Sequence, residues 1–237
     1  PHPSKTILQK IEHNKVLPPK EKDKIELLIL AFLENKEFIE TKMRINDEIK
    51  IIIAFYACLM RLGFEFGEKD DVSTIILYPN HFILDHSDTI GGIRHHKFSV
   101  LEGQSANGTV AISWQDIKFN IEQHYKGNVI LHEFAHELDF EDGYADGTPV
   151  LEGSSYRTWS SVFSYAFNTL KNEKSSNKAA FLGTYALKNE AEFFAVCSER
   201  FFQAPKTLKS YFPDLYEELK GFYRLDTAML FKALPEP

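Results

Sequence analysis

Val129-Ile-Leu-His-Glu-Phe-Ala-His-Glu-Leu-Asp-Phe140 is the stretch from which the rest of this chain can be read. It contains His132-Glu133-x-x-His136, two imidazoles one helical turn apart with a carboxylate beside the first. Side chains at i and i+4 share a helix face, so both rings can point at one metal ion. On a helical wheel His132, His136 and Asp139 fall in one narrow stripe, and Ile130, Leu131, Phe134, Ala135 and Leu138 cover much of the opposite side. An apolar back with a polar front is how a helix faces a cleft from a packed core. A surface helix with coincidental histidines has no need of that back. Zn2+ favours nitrogen ligands in tetrahedral geometry, and a catalytic site keeps one position for water. Glu133 lies about 100° round the helix from His132, where it could accept a proton from that water.

Two histidines are one ligand short, since three protein ligands are usual for catalytic zinc. His81, His86, His95, His96 and His124 do not follow the motif, and Phe140-Glu-Asp-Gly143 replaces the His-x-x-Gly-x-x-His extension of metzincins. The His95-His96 pair reads as surface or rim histidines rather than a second metal site. Acidic residues downstream are better placed. Tyr185-Ala-Leu-Lys-Asn-Glu-Ala-Glu-Phe-Phe-Ala-Val-Cys-Ser-Glu-Arg-Phe-Phe202 has a helical pattern in which Glu192, Val196 and Glu199 share one stripe. Phe194, Cys197, Phe201 and Phe202 supply its apolar flank. Either Glu192 or Glu199 could complete a His/His/Glu set, and spacing alone does not choose between them. Glu190 sits on another face, as a solvated first-turn carboxylate.

His132 to Asp139, followed by Asp142-Gly143 and Asp146-Gly-Thr-Pro149, resembles the Mlc titration factor A family of zinc peptidases. The similarity continues in Gly108-Thr-Val-Ala-Ile-Ser-Trp114, Ala191-Glu-Phe-Phe-Ala-Val196 and Phe222-Tyr-Arg-Leu-Asp226, and so spans about residues 27–227. The resemblance implies an α+β, zincin-like metallopeptidase: a small sheet, an active-site HExxH helix and a mainly helical remainder, with a catalytic domain similar to that of anthrax lethal factor. It implies one Zn2+ per chain and a glutamate ligand preceded by a tyrosine seven residues earlier. Tyr185 precedes Glu192 by that interval, so the family pattern selects Glu192 as third ligand; chemically, Tyr185 could donate a hydrogen bond to the oxyanion as the tetrahedral intermediate forms. Tyr185 could otherwise be a packed aromatic. Related glutamate zincins often place a carboxylate four residues after the ligand to hold a histidine, and here that residue is Val196. Metal-bound histidines usually give their other N–H to a carboxylate or carbonyl. Asp139 and Glu199 are the available substitutes, unless either is a cap or an ion-pair partner.

The implied activity is aminopeptidase-like hydrolysis of small peptides by a metal-activated water. The alternative is a regulator that binds and sequesters a transcriptional repressor, with hydrolysis secondary; a third reading is an enzyme with one dedicated protein substrate. Retention of Glu133 weighs against a dead enzyme, because a purely structural metal site needs no base. Peptide substrate would lie along Thr109–Trp114, where a sheet edge can pair with extended chain, although the alternation of Val110, Ile112 and Trp114 equally fits a core strand.

A net charge of −7 argues against direct nucleic-acid binding, and 43% hydrophobic residues with 26% charged residues are ordinary for a globular protein. Two widely spaced cysteines, Cys58 and Cys197, suit buried thiols in a reducing compartment. No segment reaches the roughly 20 apolar residues of a membrane span, and no signal-peptide pattern is present; the expectation is a cytoplasmic protein. Along the chain, 1–19 reads as an N-terminal arm, 20–90 as a helical and strand portion, and 91–237 as the catalytic portion, the last two forming one unit. Helices are predicted over 20–33, 47–62, 155–172, 189–202 and 213–222, and strands over 73–78, 97–103 and 109–114. Residues 81–96 read as loop with a turn at Gly91-Gly92, and 142–155 as a Gly/Asp/Pro-rich rim of the site.

Overall fold

The computed structural model of the protein describes residues 3–68, 70–79, 108–122, 127–151, 155–173 and 176–236. His81, His86, His95, His96 and His124, the turn at Gly91-Gly92 and the predicted strand over 97–103 lie outside them, as do residues 152–154 of the predicted rim.

Short helices α1 (Pro3–Leu8) and α2 (Glu12–Val16) lead into α3 (Pro19–Asn35). Pro19 opens α3 where its missing N–H costs nothing, and Ile25, Ile29 and Phe32 mark the buried face. Strand β1 (Glu37–Glu40) follows, then α4 (Asp47–Met60), started by the Asn46 side chain accepting from the Ile49 N–H. From Ile51 to Met60 every residue of α4 is buried, so it is a central helix covered on all sides. It forms the crossover to β2 (Thr74–Tyr78), which lies between β1 and β3 (Thr109–Ser113) in a three-stranded parallel sheet of order β1-β2-β3. Ile75 and Leu77 of β2 and Val110 and Ile112 of β3 point into the core. Parallel strands need such a covering helix layer.

After β3 come α5 (Trp114–Glu122) and α6 (Val129–Asp139), which packs on α4, on β3 and most extensively on α9 (Glu190–Gln203). Between α6 and α9 run α7 (Tyr156–Asn172), α8 (Asn177–Leu182) and a 3-10 turn over Thr184–Leu187. Of the C-terminal helices, α10 (Pro205–Tyr211) and α11 (Pro213–Tyr223) pack on α9, and α12 (Thr227–Leu230) packs on α10. An aromatic core joins these layers: Trp159 stacks on Phe163 at 4.1 Å and Phe201 on Tyr223 at 5.4 Å. The architecture is the α+β, zincin-like one, mostly helical with a small sheet.

The segment read as an arm contains α1 and α2, with Leu8, Ile11, His13 and Leu17 buried. His13 Nε2–H donates to the Phe202 carbonyl at 3.0 Å, tying this segment to the end of α9. Helices of six and five residues are too short to show a period, which is why the sequence reads there as polar chain. Trp114, predicted as the last strand residue, is half-buried and opens α5. The short elements β1, α5, α8, α10 and α12 have no counterpart in the sequence reading.

Asp226 joins the last two helices. Its carboxylate caps α12 at the Met229 N–H (3.1 Å), accepts from Tyr216 Oη–H (2.9 Å) and pairs with Lys220 (2.9 Å). Burial pushes its carboxyl up, but the Lys220, Tyr216 and Met229 donors outweigh this and hold it below its ordinary value. Asp226→Ala is expected to lower stability by about 1–2 kcal/mol, a lost cap plus a lost part-buried acceptor, measured by urea denaturation at neutral pH. Because the folded carboxyl is depressed, that contribution is complete above the unfolded pKa of about 3.9 and fades as pH falls through the folded value. Wild-type and variant midpoints should therefore converge in acid.

Candidate metal centre

The N-terminus of α6 is fixed before the motif begins. Asn128 is its N-cap, the side-chain oxygen accepting from Ile130 N–H (3.1 Å) and Leu131 N–H (3.2 Å). Asn120 of α5 accepts from Val129 N–H at 2.8 Å. Gln203 of α9 donates to the Gly127 carbonyl at 3.1 Å. These contacts set the rotation of α6, and with it the direction in which His132 and His136 point. Asn128 just before an apolar-periodic run is a readable start signal; Asn120 and Gln203 act through tertiary contacts that no local pattern announces.

Across from α6, the Asn189 side chain accepts from Glu192 N–H at 2.8 Å and starts α9 three residues before the carboxylate that matters. Glu192 Oε2 lies 3.1 Å from His132 Nε2 and 3.2 Å from His136 Nε2, and the two Nε2 atoms are 3.1 Å apart. The three donors form a nearly equilateral triangle. Ligands about 2.0–2.1 Å from a tetrahedral zinc are separated by roughly 3.3 Å, so this N/N/O set fits such an ion with little adjustment. Among the described residues, these three are the group of His, Cys, Asp and Glu side chains that could hold a metal.

The surrounding charges agree with a cation at this point. Burial disfavours a proton on His132, but its hydrogen bonds to Glu192 and Glu199 prevail and raise its pKa well above the ordinary value. Burial likewise works against ionised Glu192, and the two imidazoles outweigh it, holding the carboxyl far below its usual range. The pocket thus favours positive charge against these carboxylates. A divalent cation competes with the proton for that position, since ligand histidines must be neutral.

Glu199, two helical turns after Glu192, takes the other side of His132: Oε1 is 2.7 Å from Nδ1, and Oε2 accepts from Asn128 N–H at 2.8 Å. One carboxylate therefore holds both the ring and the start of its helix. Asp139 does something else. Its Oδ2 accepts from Gly147 N–H at 2.9 Å, anchoring the loop after α6. Tyr185 lies in the 3-10 turn rather than in α9, and its hydroxyl donates to Glu192 Oε1 at 2.8 Å. Glu133 is only part-buried. Desolvation pushes its carboxyl up to about 7; His132 opposes that shift, and Glu192, Glu199 and Asp116 reinforce it. Glu190 is exposed. Glu137, one turn beyond Glu133, was not singled out in the sequence. It too is raised to about 7, by burial and by Glu133, against a hydrogen bond from the Gly108 N–H at the head of β3.

A helix carrying His132, Glu133 and His136, crossed by a second helix that brings Glu192 onto both rings, above a small sheet, defines the zincin class of metallopeptidases. The chain belongs to the family described as glucose-regulated metallo-peptidase M90, whose profile matches residues 1–224. It is 32% identical to Mlc titration factor A of Pectobacterium atrosepticum, over 92% of this chain and 84% of that one. It is 31% identical to the protein of the same name in Yersinia pestis (87% and 78%). A Synechocystis protein, slr2042, is 32% identical (89% and 78%).

Proposed function

We propose that the protein is a zinc-dependent peptidase of aminopeptidase-like type, acting on small peptides with His132, His136 and Glu192 as the metal ligands. The observation that carries this reading is the convergence of three donor atoms about 3.1–3.2 Å apart beside a glutamate with a raised pKa. When bound, zinc supplies a Lewis acid that lowers the pKa of water and polarises a carbonyl. Glu133 accepts the water proton and returns it to the leaving amine, a task suited to a carboxyl near neutrality. Glu199 keeps His132 in one tautomer and one orientation. The test is metal analysis of purified protein together with profiling on a diverse peptide library. About one zinc per chain and cleavage near peptide N-termini are expected; a zinc-loaded protein inert to every peptide would overturn the reading.

Tyr185 has two tasks in this scheme. At rest it orients the ligand carboxylate through Glu192 Oε1, and during hydrolysis it donates to the oxyanion of the tetrahedral intermediate. Tyr185→Phe should lower kcat roughly 10- to 1000-fold with little change in KM, the range for losing one oxyanion donor. Zinc stoichiometry should stay the same. Full kcat in the variant would reduce Tyr185 to a packed aromatic.

The relatives' name supports a second reading. Proteins called Mlc titration factor A match most of the chain, so this one could bind a repressor of the Mlc type, with hydrolysis secondary. Hydrolysis by wild type and its loss on zinc removal, with repressor binding unaffected, would show that the two activities are separate. We place the protein in the cytoplasm. Supporting this, both cysteines are buried free thiols, and no helix among the described residues is long and apolar enough to cross a membrane.

A further inference from the structure

The loop after α6 is held unusually well for a connection rich in glycine and aspartate. Asp139 is one turn beyond His136 on the same stripe of α6, fully buried, and takes the Gly147 N–H. On the other side the Gly147 carbonyl accepts from Trp159 Nε1–H of α7 at 3.0 Å, and Trp159 is itself buried. Gly147 has φ +81°, and a Cβ there would come within 2.5 Å of the Glu190 carbonyl at the start of α9. Gly147 is thus hydrogen-bonded from α6 and α7 through both of its backbone polar groups and packs against Glu190, two residues before Glu192. Side chains stiffen the flanks: Asp142 accepts from Tyr144 N–H, Asp146 from Thr148 N–H, and Tyr156 Oη from Leu151 N–H. Tyr144 and Val150 are left exposed. The Thr148 N–H as well as the Gly147 N–H lies against the Asp139 carboxylate, so both ends of this turn are held by one side chain.

We propose that Asp139 is a positioning residue that fixes residues 146–148 as a preformed wall of the metal cleft, against which the peptide substrate binds. This rests on the peptidase reading above. The loop is anchored one turn beyond His136 and abuts the first turn of α9 two residues before Glu192, so it lies beside the residues that would hold the metal. A wall fixed in advance spares the substrate the cost of ordering a loop. Its loss therefore weakens substrate binding more than it slows the chemical step.

The test compares Asp139→Ala, Asp139→Asn and Trp159→Phe in the full zinc-loaded chain, using the library peptide that wild type cleaves fastest. Readouts are amide hydrogen exchange over residues 143–151, kcat and KM separately, and zinc affinity by chelator competition. Asp139→Ala should speed exchange at Gly147 and Thr148 by roughly 10-fold or more. KM should rise by a similar factor while kcat and zinc affinity stay close to wild type. Asp139→Asn, whose amide oxygen still accepts from Gly147, should restore most of the KM. Trp159→Phe keeps a ring but removes the second grip, and should shift KM in the same direction by less, which covers the case in which the alanine variant does not fold. Faster exchange with unchanged KM would make the clamp purely structural and overturn the proposal. A fall in zinc affinity together with kcat would overturn it as well, by showing that Asp139 acts on His136. A wild-type chain that cleaves no peptide sinks the proposed function and this substrate role with it, while the exchange data still report whether the clamp exists.

Discussion

Glu133→Gln is expected to keep zinc content and thermal stability near wild type and to lower peptide hydrolysis by about 100- to 10,000-fold. Glutamine has nearly the size of glutamate and can keep most of its contacts, but its amide cannot accept a proton. Glu133 lies next to His132 on α6, part-buried, in a field of carboxylates from Glu192, Glu199 and Asp116. Such a site favours a carboxyl that picks up and releases protons near neutral pH. Side-by-side metal analysis, melting curves and single-turnover hydrolysis measure the three quantities. Activity within a few-fold of wild type would remove Glu133 from the mechanism and require a different base. Loss of zinc would mean that the carboxylate contributes to holding the ion. Binding to an Mlc-type repressor, where it occurs, should be untouched by this substitution, which makes Glu133→Gln the reagent that separates the enzyme from the binder.

Different parts of this arrangement are legible in the sequence to different depths. His132, Glu133 and His136 are readable because their relation is local: a 3.6-residue repeat alone puts the two imidazoles together. The long helices α3, α4, α7 and α9 are readable for the same reason, each presenting several turns of apolar pattern. Strand β1 is not, because Glu37-Phe-Ile-Glu40 is stabilised by its register on β2, with Phe38 opposite Ile75 and Ile39 opposite Ile76, rather than by its own composition. The helix predicted over 189–202 matches α9, which Asn189 caps; what its pattern does not show is that Tyr185 lies in a separate turn whose hydroxyl reaches Glu192. Asp139 and Glu199 look equivalent on their wheels. They differ only in what the fold places opposite them, a loop amide for one and an imidazole for the other.

The choice between Glu192 and Glu199 is where tertiary structure adds most, and it leads to a graded expectation for metal affinity. The two residues are seven apart, two turns of one helix, so both face α6. Glu192 Oε2 meets both Nε2 atoms, the nitrogens that also face each other, whereas Glu199 meets only Nδ1 of His132 and the Asn128 amide. Glu192→Gln replaces by a neutral amide the carboxylate that meets both Nε2 atoms, while Glu199 stays against His132 Nδ1. Glu199→Gln leaves the ligand set intact, and its amide oxygen can still accept from His132 Nδ1–H. Losing such an outer partner typically lowers metal affinity by about 10- to 100-fold, so Glu199→Gln should fall within or below that range and Glu192→Gln should exceed it. Chelator competition on the folded full chain, with circular dichroism to confirm structure, reads both affinities. The reverse order would move the third ligand to Glu199 and turn Glu192, with Tyr185 attached to it, into the residue that orients the site from outside. Equal losses would mean that the two carboxylates act as one unit through His132, a possibility that the double variant resolves: independent contributions multiply, whereas a shared one does not.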